Sequence, residues 1–540
     1  MTALAVPLDA LPAPRRRTNK WVVALSVTFG TLMGAIDASI VNVALSQIRG
    51  SVGATVQEIT WISTGFAIAT VMVMPLTGFF GRLFGQKNVY LACLLLFILG
   101  SALCGVAWNL PSLIVFRALQ GFGAGALQPT EQAILRQTFP PKEQATAMAL
   151  FAMAVMVGPA VGPTLGGFIV DNFHWSWIFF INVPVGILGM FLVWRFVEEP
   201  EDIKAHARAE AQKMRAHMDW LGIALLWTCL GALQYVLEEG QGDDWFESPL
   251  IVVVTLLALF TAVAFVVREL TAQAPAVNLR LFKDATFTSG ALASAAMFAV
   301  MMSGMFLLPL FMQELLGFTA MQSGLALMPR TLVMLVCMPV VAKIYAKVPP
   351  WFLGTSGLLL NCYGQFMLAG LNLSSSTPDI IAAIVSQGAG MSLMMVPLQT
   401  ISLSTIPRHQ MADATGLSSL IRQIGSSLGL AAFATLLTRY GVFSRDGLRA
   451  HILGERPEVL ARLAMAENGL VARGVDANSA HGAALGSLYG AVARQGMVLA
   501  FDKLFIAGGI LFLCVVPLMF MLRAPKQGAA PSAPVHVEME

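Results

Sequence analysis

One carboxylate and one guanidinium lie inside long apolar runs of this sequence, where charged side chains are rare. Asp37 lies within residues 34–45, and Arg117 opens residues 117–121. Because a charge is expensive in an apolar span, a carboxylate there is a candidate for loading and releasing a proton. Arg117 lies about six residues, or about 9 Å, inward from the end of its run, at a depth similar to that of Asp37. The sequence therefore predicts a pair, which either couples proton movement, with Arg117 tuning Asp37, or is purely structural.

Four more polar side chains inside apolar runs are candidates for contacting a substrate or for gating: Gln120, Arg330, Gln399 and Arg422. Intramembrane arginines rarely face lipid. Arg330 and Arg422 therefore either hydrogen-bond backbone and glutamine groups or face an anionic substrate, and both alternatives stay open. The chain also has 29 methionines, whose flexible thioethers suit either gap-filling in a core or a surface that accepts varied ligands.

Small residues and prolines recur between residues 158 and 167. Three glycines spaced four apart line one face of a helix there, and two prolines and a further glycine line the next. Small residues let helix backbones approach closely, and proline bends a helix. The pattern predicts a conformational ridge that pivots or seals, with ordinary helix packing as the alternative. The ridge consists of Gly158, Pro159, Gly162, Pro163, Gly166 and Gly167.

Several classes of chemistry lack support in the sequence. No GxxxxGK[ST] run occurs, so ATP is not the expected energy source. The six cysteines fall inside apolar runs and no Cys/His cluster has metal-ligand spacing, so neither a disulfide framework nor a metal site is expected. No nucleophile–base constellation supports an enzyme. We expect no cofactor and no nucleic-acid partner.

The elements that hold these residues must lie in a membrane. Hydrophobic residues make up 57% of the chain and charged residues only 12%, with a mean hydropathy of +0.73. A water-soluble core cannot hide so much apolar surface, whereas spans of about 20 apolar residues cross a bilayer. The sequence predicts an all-α polytopic membrane protein with fourteen spans. They are 21–45, 59–80, 88–108, 111–135, 145–170, 177–197, 219–238, 249–268, 285–312, 322–345, 351–372, 379–404, 412–438 and 502–523.

Lysines and arginines indicate the orientation. With the amino-terminal tail in the cytoplasm, the inner loops are rich in basic residues, whereas the short outer loops carry Arg49 alone. Both termini are therefore predicted to be cytoplasmic. The short, basic stretch 78–87 is predicted to be a cytoplasmic turn after the second span. One outer segment, 439–501, is long, and its apolar residues recur at helical spacing. It is either a helical hairpin or cap outside the membrane or a flexible loop.

Together these segments resemble the Major Facilitator Superfamily, specifically its fourteen-span drug:proton antiporters of the EmrB/QacA type. The resembling segments are 37–45, 117–121, 158–167 and 175–186, of which the glycine-proline segment 158–167 is the most specific. Two positions depart from the family pattern. Ser176 stands where the family usually has Arg, and Arg82 stands where the superfamily usually has Asp, which weakens the inference of an Asp-based cytoplasmic latch.

The resemblance implies two six-helix bundles with two inserted helices between them, and a substrate site near the midplane between the bundles that is exposed to each side in turn. The implied organisation is a tail 1–20, a first bundle 21–197, a linker 198–218, inserted helices 219–268, a second bundle 285–525 that includes the outer segment 439–501, and a tail 526–540. It also implies a bacterial inner-membrane location and work with a periplasmic adaptor and an outer-membrane channel.

Three functional hypotheses follow. The first is a proton-coupled multidrug exporter of hydrophobic or amphipathic small molecules, with the proton gradient as the energy source. The second is a dedicated proton-coupled exporter of one endogenous metabolite, lipid or siderophore. The third is a nutrient importer that runs as a symporter, which the glycine-proline ridge disfavours. A channel is disfavoured by the Gly/Pro-rich bundle.

Overall fold

The computed structural model describes residues 19–199, 219–272, 275–452 and 456–521. The predicted tails 1–20 and 526–540 and the linker 198–218 lie almost wholly outside these ranges. Within them the regular structure is helical, with no strand. The described ranges contain seventeen α-helices: α1 Lys20–Val52, α2 Val56–Val73, α3 Thr77–Phe84, α4 Gln86–Gly105, α5 Leu110–Thr138, α6 Gln144–Asn172, α7 Trp177–Phe180, α8 Asn182–Phe196, α9 Trp220–Glu239, α10 Pro249–Thr271, α11 Ala285–Glu314, α12 Ala320–Ile344, α13 Pro350–Ala369, α14 Thr377–Ile401, α15 Met411–Arg449, α16 Pro457–Val471 and α17 Ala477–Met521.

Fourteen helical segments correspond to the fourteen predicted spans. Thirteen are both long and apolar enough to cross a bilayer, with α2 and α3 forming one such segment and α7 and α8 another. The fourteenth is α13, which has 20 residues and covers most of the predicted span 351–372. The polar side chains of Asn361 and Gln365 lower the hydropathy of this helix. Both are buried and therefore face protein and not lipid.

Several helices begin with a side chain that satisfies the first backbone amides. A membrane helix must satisfy such groups internally, because lipid offers no hydrogen bonds. In a capping box the cap side chain binds an amide of the first turn and a side chain of that turn binds the cap amide. The boxes open α2, α5, α12 and α14 at Thr55, Asn109, Thr319 and Ser376.

The helices pack as two bundles with a pair beside them. In the first bundle α1 packs against α5, α6 and α8, and α4 and α2 pack against α5. In the second, α11 packs against α15 and α17, and α13 packs against α14 and α17. The helices α9 and α10 pack on each other, and α9 also contacts α2 and α15. The inserted pair therefore lies against both bundles.

Contacts between helix ends distinguish the two ends of the molecule, since Lys20 binds Glu143 and Gln137 donates to the carbonyl of Arg408. We call the end that holds Lys20, Gly85 and Pro407 the basic end, and the end that holds α16 the hairpin end. At the hairpin end α15 continues to Arg449 and α17 begins at Ala477. At 1.5 Å per residue the 45-residue α17 is about 67 Å long, well beyond the roughly 30 Å of a hydrocarbon core.

The segment 439–501 is therefore helical, apart from its connections and the undescribed residues 453–455. Residues 439–449 extend α15, α16 follows, and the remainder belongs to α17. The helical structure of the hairpin alternative is confirmed, and the flexible-loop alternative is wrong for the described residues. The position of this hairpin outside the membrane stays a prediction. The segment is held together by packing, since a Cβ at Gly496 would lie 3.1 Å from Cα of Arg445 on the facing helix.

The prediction of a turn over residues 78–87 is wrong. Residues 77–84 form α3, and only Gly85, with φ of 83°, interrupts the helical path before α4. The glycines that suggested a turn serve close packing, because a Cβ at Gly78 would collide with Asp413 of α15. The second span thus continues about one turn beyond the predicted 59–80 and is buried against the second bundle.

Candidate functional site

Asp37 and Arg117 form an ion pair inside the first bundle, as the sequence predicted. The Arg117 Nη1 lies 2.7 Å from Asp37 Oδ2, and the two residues are 1% and 0% exposed. Arg117 Nη1 also donates to Gln120 Oε1 at 2.7 Å, and its guanidinium lies 4.2 Å from the ring of Phe66. The guanidinium is thus held by a carboxylate, an amide and an aromatic face at once.

The other oxygen of Asp37 accepts two amide hydrogen bonds. Gln120 Nε2 donates to Oδ1 at 2.9 Å, and Asn182 Nδ2 donates to the same atom at 2.7 Å. The structure therefore places Gln120, predicted to contact substrate or to gate, in the Asp37 network. The carboxylate of Asp37 thus accepts three hydrogen bonds from residues of α5 and α8, one at Oδ2 and two at Oδ1.

Asn182 is a network member that the sequence reasoning missed. It also donates to Ser101 Oγ at 3.1 Å, and that hydroxyl donates to the carbonyl of Phe179 at 2.8 Å. Ser101 thereby fixes the orientation of the Asn182 amide. The signal was available, because Asn182 lies in the family-like segment 175–186 and is a polar residue in an apolar run.

A cavity of about 260 Å³ lies between the bundles and reaches Arg117. Its wall comes from α1, α2, α5, the inserted helix α9 and α15. Ala38 and Asn42 on this wall are exposed, so the cavity opens towards the hairpin end. The lining residues are Gly30, Thr31, Gly34, Ala35, Ala38, Asn42, Ser63, Phe66, Ala67, Thr70, Met74, Arg117, Ala124, Leu127, Gln128, Glu238 and Gln423.

The inserted helix α9 contributes the acidic side chain of this cavity, Glu238. Its Oε1 accepts a hydrogen bond from Gln234 Nε2 at 2.7 Å, and Gln234 also donates to Ser427 Oγ of α15 at 2.9 Å. Glu238 was not selected from the sequence, because it falls at the last residue of the predicted span 219–238. The inserted pair therefore adds charge to the cavity wall and ties that wall to the second bundle.

A second, smaller cavity of about 80 Å³ lies between α6 of the first bundle and α11 and α12 of the second. Arg330 lies on its wall, and in the described part of the chain no side chain hydrogen-bonds or ion-pairs with it. Half of the other lining residues are methionines. The lining residues are Met156, Pro163, Thr164, Met301, Met305, Gly324, Leu327, Met328, Arg330, Thr331 and Met334.

The other two predicted polar residues lie elsewhere. Arg422 is 5% exposed, donates to Ser419 Oγ at 3.0 Å and lies 5.2 Å from the ring of Phe298. Gln399 accepts a hydrogen bond from Gln132 of the first bundle. Most other methionines fill the core, such as Met394 at 0% exposed.

The glycine ridge of α6 packs directly on α1, the helix that carries Asp37. A Cβ at Gly158 would collide with the backbone of Ala35, and one at Gly162 would lie 2.5 Å from Ser39 Oγ. Gly166 faces Ile40, whereas nothing lies within 4 Å of a Cβ at Gly167. The side chain of Pro159 lies outside the described residues. Pro163 lines the smaller cavity.

The second bundle repeats this arrangement on α15 and α11. A Cβ at Gly425 would lie 2.6 Å from the carbonyl oxygen of Ala295, and one at Gly429 would lie 2.5 Å from Cα of Ala299. Both bundles thus have a glycine-lined contact between a helix of the central cavity wall and its neighbour.

At the basic end the two bundles are closed on each other. Arg82 of α3 forms an ion pair with Asp413 of α15, and Gln132 binds Gln399. Arg136 Nη2 donates to the carbonyl of Thr400 at 2.9 Å. Arg82 stands where the superfamily usually has Asp, and the structure supplies a carboxylate from the other bundle instead. The ion pair joins the guanidinium of the first bundle to Asp413 of the second. We call these contacts the basic-end gate.

We expect Asp413→Arg to weaken this gate. Asp413 is 4% exposed, and removing one partner of a buried ion pair costs about 3–5 kcal/mol. Even part of that energy should shift the balance of open and closed gate by roughly tenfold or more. Labelling of a cysteine at position 400 in a background without native cysteines measures this. The matched control is the double variant Arg82→Asp/Asp413→Arg, which restores a pair and should restore protection. Equal labelling of all three proteins would show that the pair does not hold the gate.

Comparison with known proteins identifies the class of protein that this fold and site define. The profile of the Major Facilitator Superfamily matches residues 27–430. The chain belongs to this superfamily; it is a multi-span membrane transporter and not an enzyme. The solved human organic anion transporter MFSD10 (TETRAN) superposes with a TM-score of 0.59 at 13% identity, covering 93% of this chain and 99% of that one, which supports the fold.

Two relatives align with this chain over nearly its whole length. The fatty acid resistance protein FarB of Neisseria gonorrhoeae is 34% identical over 503 residues, 93% of this chain and 96% of its own. The multidrug export protein EmrB of Escherichia coli K12 is 30% identical over 510 residues, 93% of this chain and 95% of its own.

Proposed function

We propose that this transporter exports hydrophobic or amphipathic compounds in exchange for protons. The observation that carries the proposal is the position of the Asp37–Arg117 pair, which is buried within the first bundle while Arg117 reaches the cavity between the bundles. Because Arg117 belongs both to the ion pair and to the cavity wall, a proton that binds Asp37 can influence a ligand in the cavity.

The cycle follows from this geometry. The basic residues support a cytoplasmic location for the basic end. In that orientation the described conformation is closed to the cytoplasm and its cavity faces outward. A proton that enters the cavity and reaches Asp37 breaks its pair with Arg117. Because α1 rests on the glycine ridge of α6, α1 can then shift with little steric resistance. The basic-end gate opens, the proton leaves to the cytoplasm, and substrate enters.

The two cavities indicate the chemical range of substrates. The central cavity offers Phe66 and aliphatic groups together with hydroxyl and amide side chains. Because Arg117 is paired with Asp37, the acid Glu238 is the charge left to a ligand, which suits lipophilic cations. The smaller cavity offers methionines around Arg330, which suits an amphipathic anion. Both features together favour a polyspecific exporter. A dedicated exporter of one long-chain carboxylate is the second candidate, favoured by the Arg330 cavity and by the relative named for fatty acid resistance.

The test is an efflux panel in cells that lack their own pumps and express this chain. It should contain lipophilic cations, neutral compounds and long-chain carboxylates, each with and without a protonophore at constant ATP. The proposal expects export of more than one class, abolished by the protonophore. Export of carboxylates alone would favour the second candidate. Export that continues with the protonophore would refute proton coupling.

We further propose that the protein lies in a bacterial inner membrane and passes substrate to a periplasmic adaptor and an outer-membrane channel. The helical hairpin around α16 supports this, because it projects beyond the span on the side opposite to the basic end. Its exposed apolar side chains include Leu460, Met465 and Val471. Such a surface suits a protein partner.

We expect that replacing residues 450–476 by a short flexible linker separates two activities. The packed ends of α15 and α17 remain, so the protein should still insert and transport in proteoliposomes at a rate close to that of the wild type. Resistance in intact cells, which needs transfer across the whole envelope, should fall to that of cells without the pump. Equal loss in both assays would make the hairpin part of the transport machinery, and no loss in either would exclude it as a docking surface.

A further inference from the structure

A second buried carboxylate, Glu131 of α5, lies near the basic end. It is 0% exposed and lies 14 residues from Arg117, or about 21 Å along the helix. In the described part of the chain no lysine, arginine or histidine is paired with it. The Asp37 network therefore neither contacts nor neutralises it.

The hydrogen bonds around Glu131 indicate its protonation state. Thr28 Oγ1 of α1 lies 2.8 Å from the carbonyl of Ala24 and 3.0 Å from Glu131 Oε1. A hydroxyl has a single hydrogen, and a carbonyl can only accept. If Thr28 donates to Ala24, the contact to Glu131 is a hydrogen bond only when Glu131 donates.

The other oxygen of Glu131 supports the same assignment. Oε2 makes no hydrogen bond of good geometry among the described residues, and the neighbouring Thr31 hydroxyl is also without one. An ionised carboxylate that is buried without a cation costs several kcal/mol, whereas a neutral acid with one unsatisfied carbonyl oxygen costs much less. The geometry thus favours the neutral acid in this conformation.

The neighbouring charged and titratable groups are otherwise engaged. Tyr90 of α4 faces Glu131, and its hydroxyl donates to the carbonyl of Val27 at 2.5 Å. Arg136, further along α5, binds Gln144 and Thr400. Lys20, at the start of α1, binds Glu143.

Glu131 also lies between the cavity and the gate. Thr31, beside Glu131, and Gln128, one turn before it, line the central cavity. Gln132, the next residue, makes a gate contact to Gln399. Glu131 therefore adjoins the central cavity on one side and the closed basic-end gate on the opposite side.

We propose that Glu131 is a second proton-binding site, loaded in the described conformation and emptied when the basic-end gate opens. Thr28 positions it through the contact between its hydroxyl and Glu131 Oε1. Protonation and release involve only the O–H bond of Glu131 and water. This inference rests on the proposed proton exchange, to which it adds a second coupled proton per cycle, carried separately from Asp37.

The experiment uses purified protein in proteoliposomes with the membrane potential clamped at zero. For a fixed pH gradient, the substrate gradient at which net flux stops gives the number of coupled protons. Glutamine at position 131 mimics the neutral acid and cannot release a proton. We therefore expect Glu131→Gln to couple one proton fewer per cycle. This lowers the attainable substrate gradient about tenfold for each unit of the pH gradient. Glu131→Asp should retain the wild-type ratio. Glu143→Gln removes a half-buried carboxylate near the same end, the partner of Lys20, and should also retain the wild-type ratio.

A second readout covers the case in which Glu131→Gln transports too slowly. The infrared spectrum of the wild type should contain a protonated carboxylic C=O band that Glu131→Gln lacks and Glu143→Gln keeps. Absence of that difference, or an unchanged ratio in Glu131→Gln, overturns the role of Glu131 and leaves the exchange itself standing. A wild type whose zero-flux gradient ignores pH overturns the proposed function instead.

Discussion

Asp37→Asn is expected to reduce uphill export to background while leaving the folded protein in the membrane. Asparagine keeps the size of the side chain and can still bind Gln120 and Asn182, but it cannot carry the proton. Arg117 then loses its counter-charge, and no protonation event remains to release it. Export should be measured in cells under a proton gradient, together with substrate exchange at equal concentrations, which needs no gradient and should persist.

The matched control is Asp446→Asn, the same substitution at an exposed carboxylate of α15. It should export like the wild type. Wild-type export and wild-type pH dependence in Asp37→Asn would show that another carboxylate couples the reaction. Loss of equilibrium exchange as well would indicate that the pair is needed for folding or for substrate binding, as the structural alternative holds.

Gly158→Leu is expected to reduce transport more than tenfold with normal membrane insertion. Even a Cβ at this position collides with the backbone of Ala35, which cannot move aside as a flexible side chain can. Overpacking a close contact typically costs about 1–3 kcal/mol. Here the cost destabilises the packing of α6 on α1 beside Asp37. The measurement is the transport rate normalised to the amount of protein in the membrane.

Gly167→Leu is the control on the same helix, because nothing lies within 4 Å of a Cβ there. Gly162→Leu should be intermediate, since it meets the Ser39 side chain first. A wild-type rate in Gly158→Leu, or equal impairment in the 158 and 167 variants, would contradict the ridge as a moving surface.

The sequence was most informative where a rule depends on local composition. Apolar length predicted the fourteen spans, and depth along two spans predicted the Asp37–Arg117 pair. The same rule, that a charged residue inside a span is a functional candidate, also applies to Glu131 within the predicted span 111–135, although Glu131 is not among the predicted site residues. Glu238 is the last residue of the predicted span 219–238, where a charged side chain is ordinary, so the rule does not select it.

Long-range partners were beyond reach. Arg82 and Asp413 are 331 residues apart, and nothing near either residue indicates the other. Residues 78–87 were misread because glycine marks both turns and close helix contacts, and only the facing α15 decides between them. The ridge at Gly158 was predicted, but its partner Ala35 follows from packing that a single sequence does not encode locally.

The central claim is exchange of protons for substrate, and transport by the purified protein in proteoliposomes tests it most directly. A pH gradient imposed with no nucleotide present, and with no substrate gradient, should drive substrate in the direction opposite to the protons. Collapse of the gradient by an ionophore should stop this movement. Substrate that moves in the same direction as the protons, or at a rate independent of the gradient, would contradict the account.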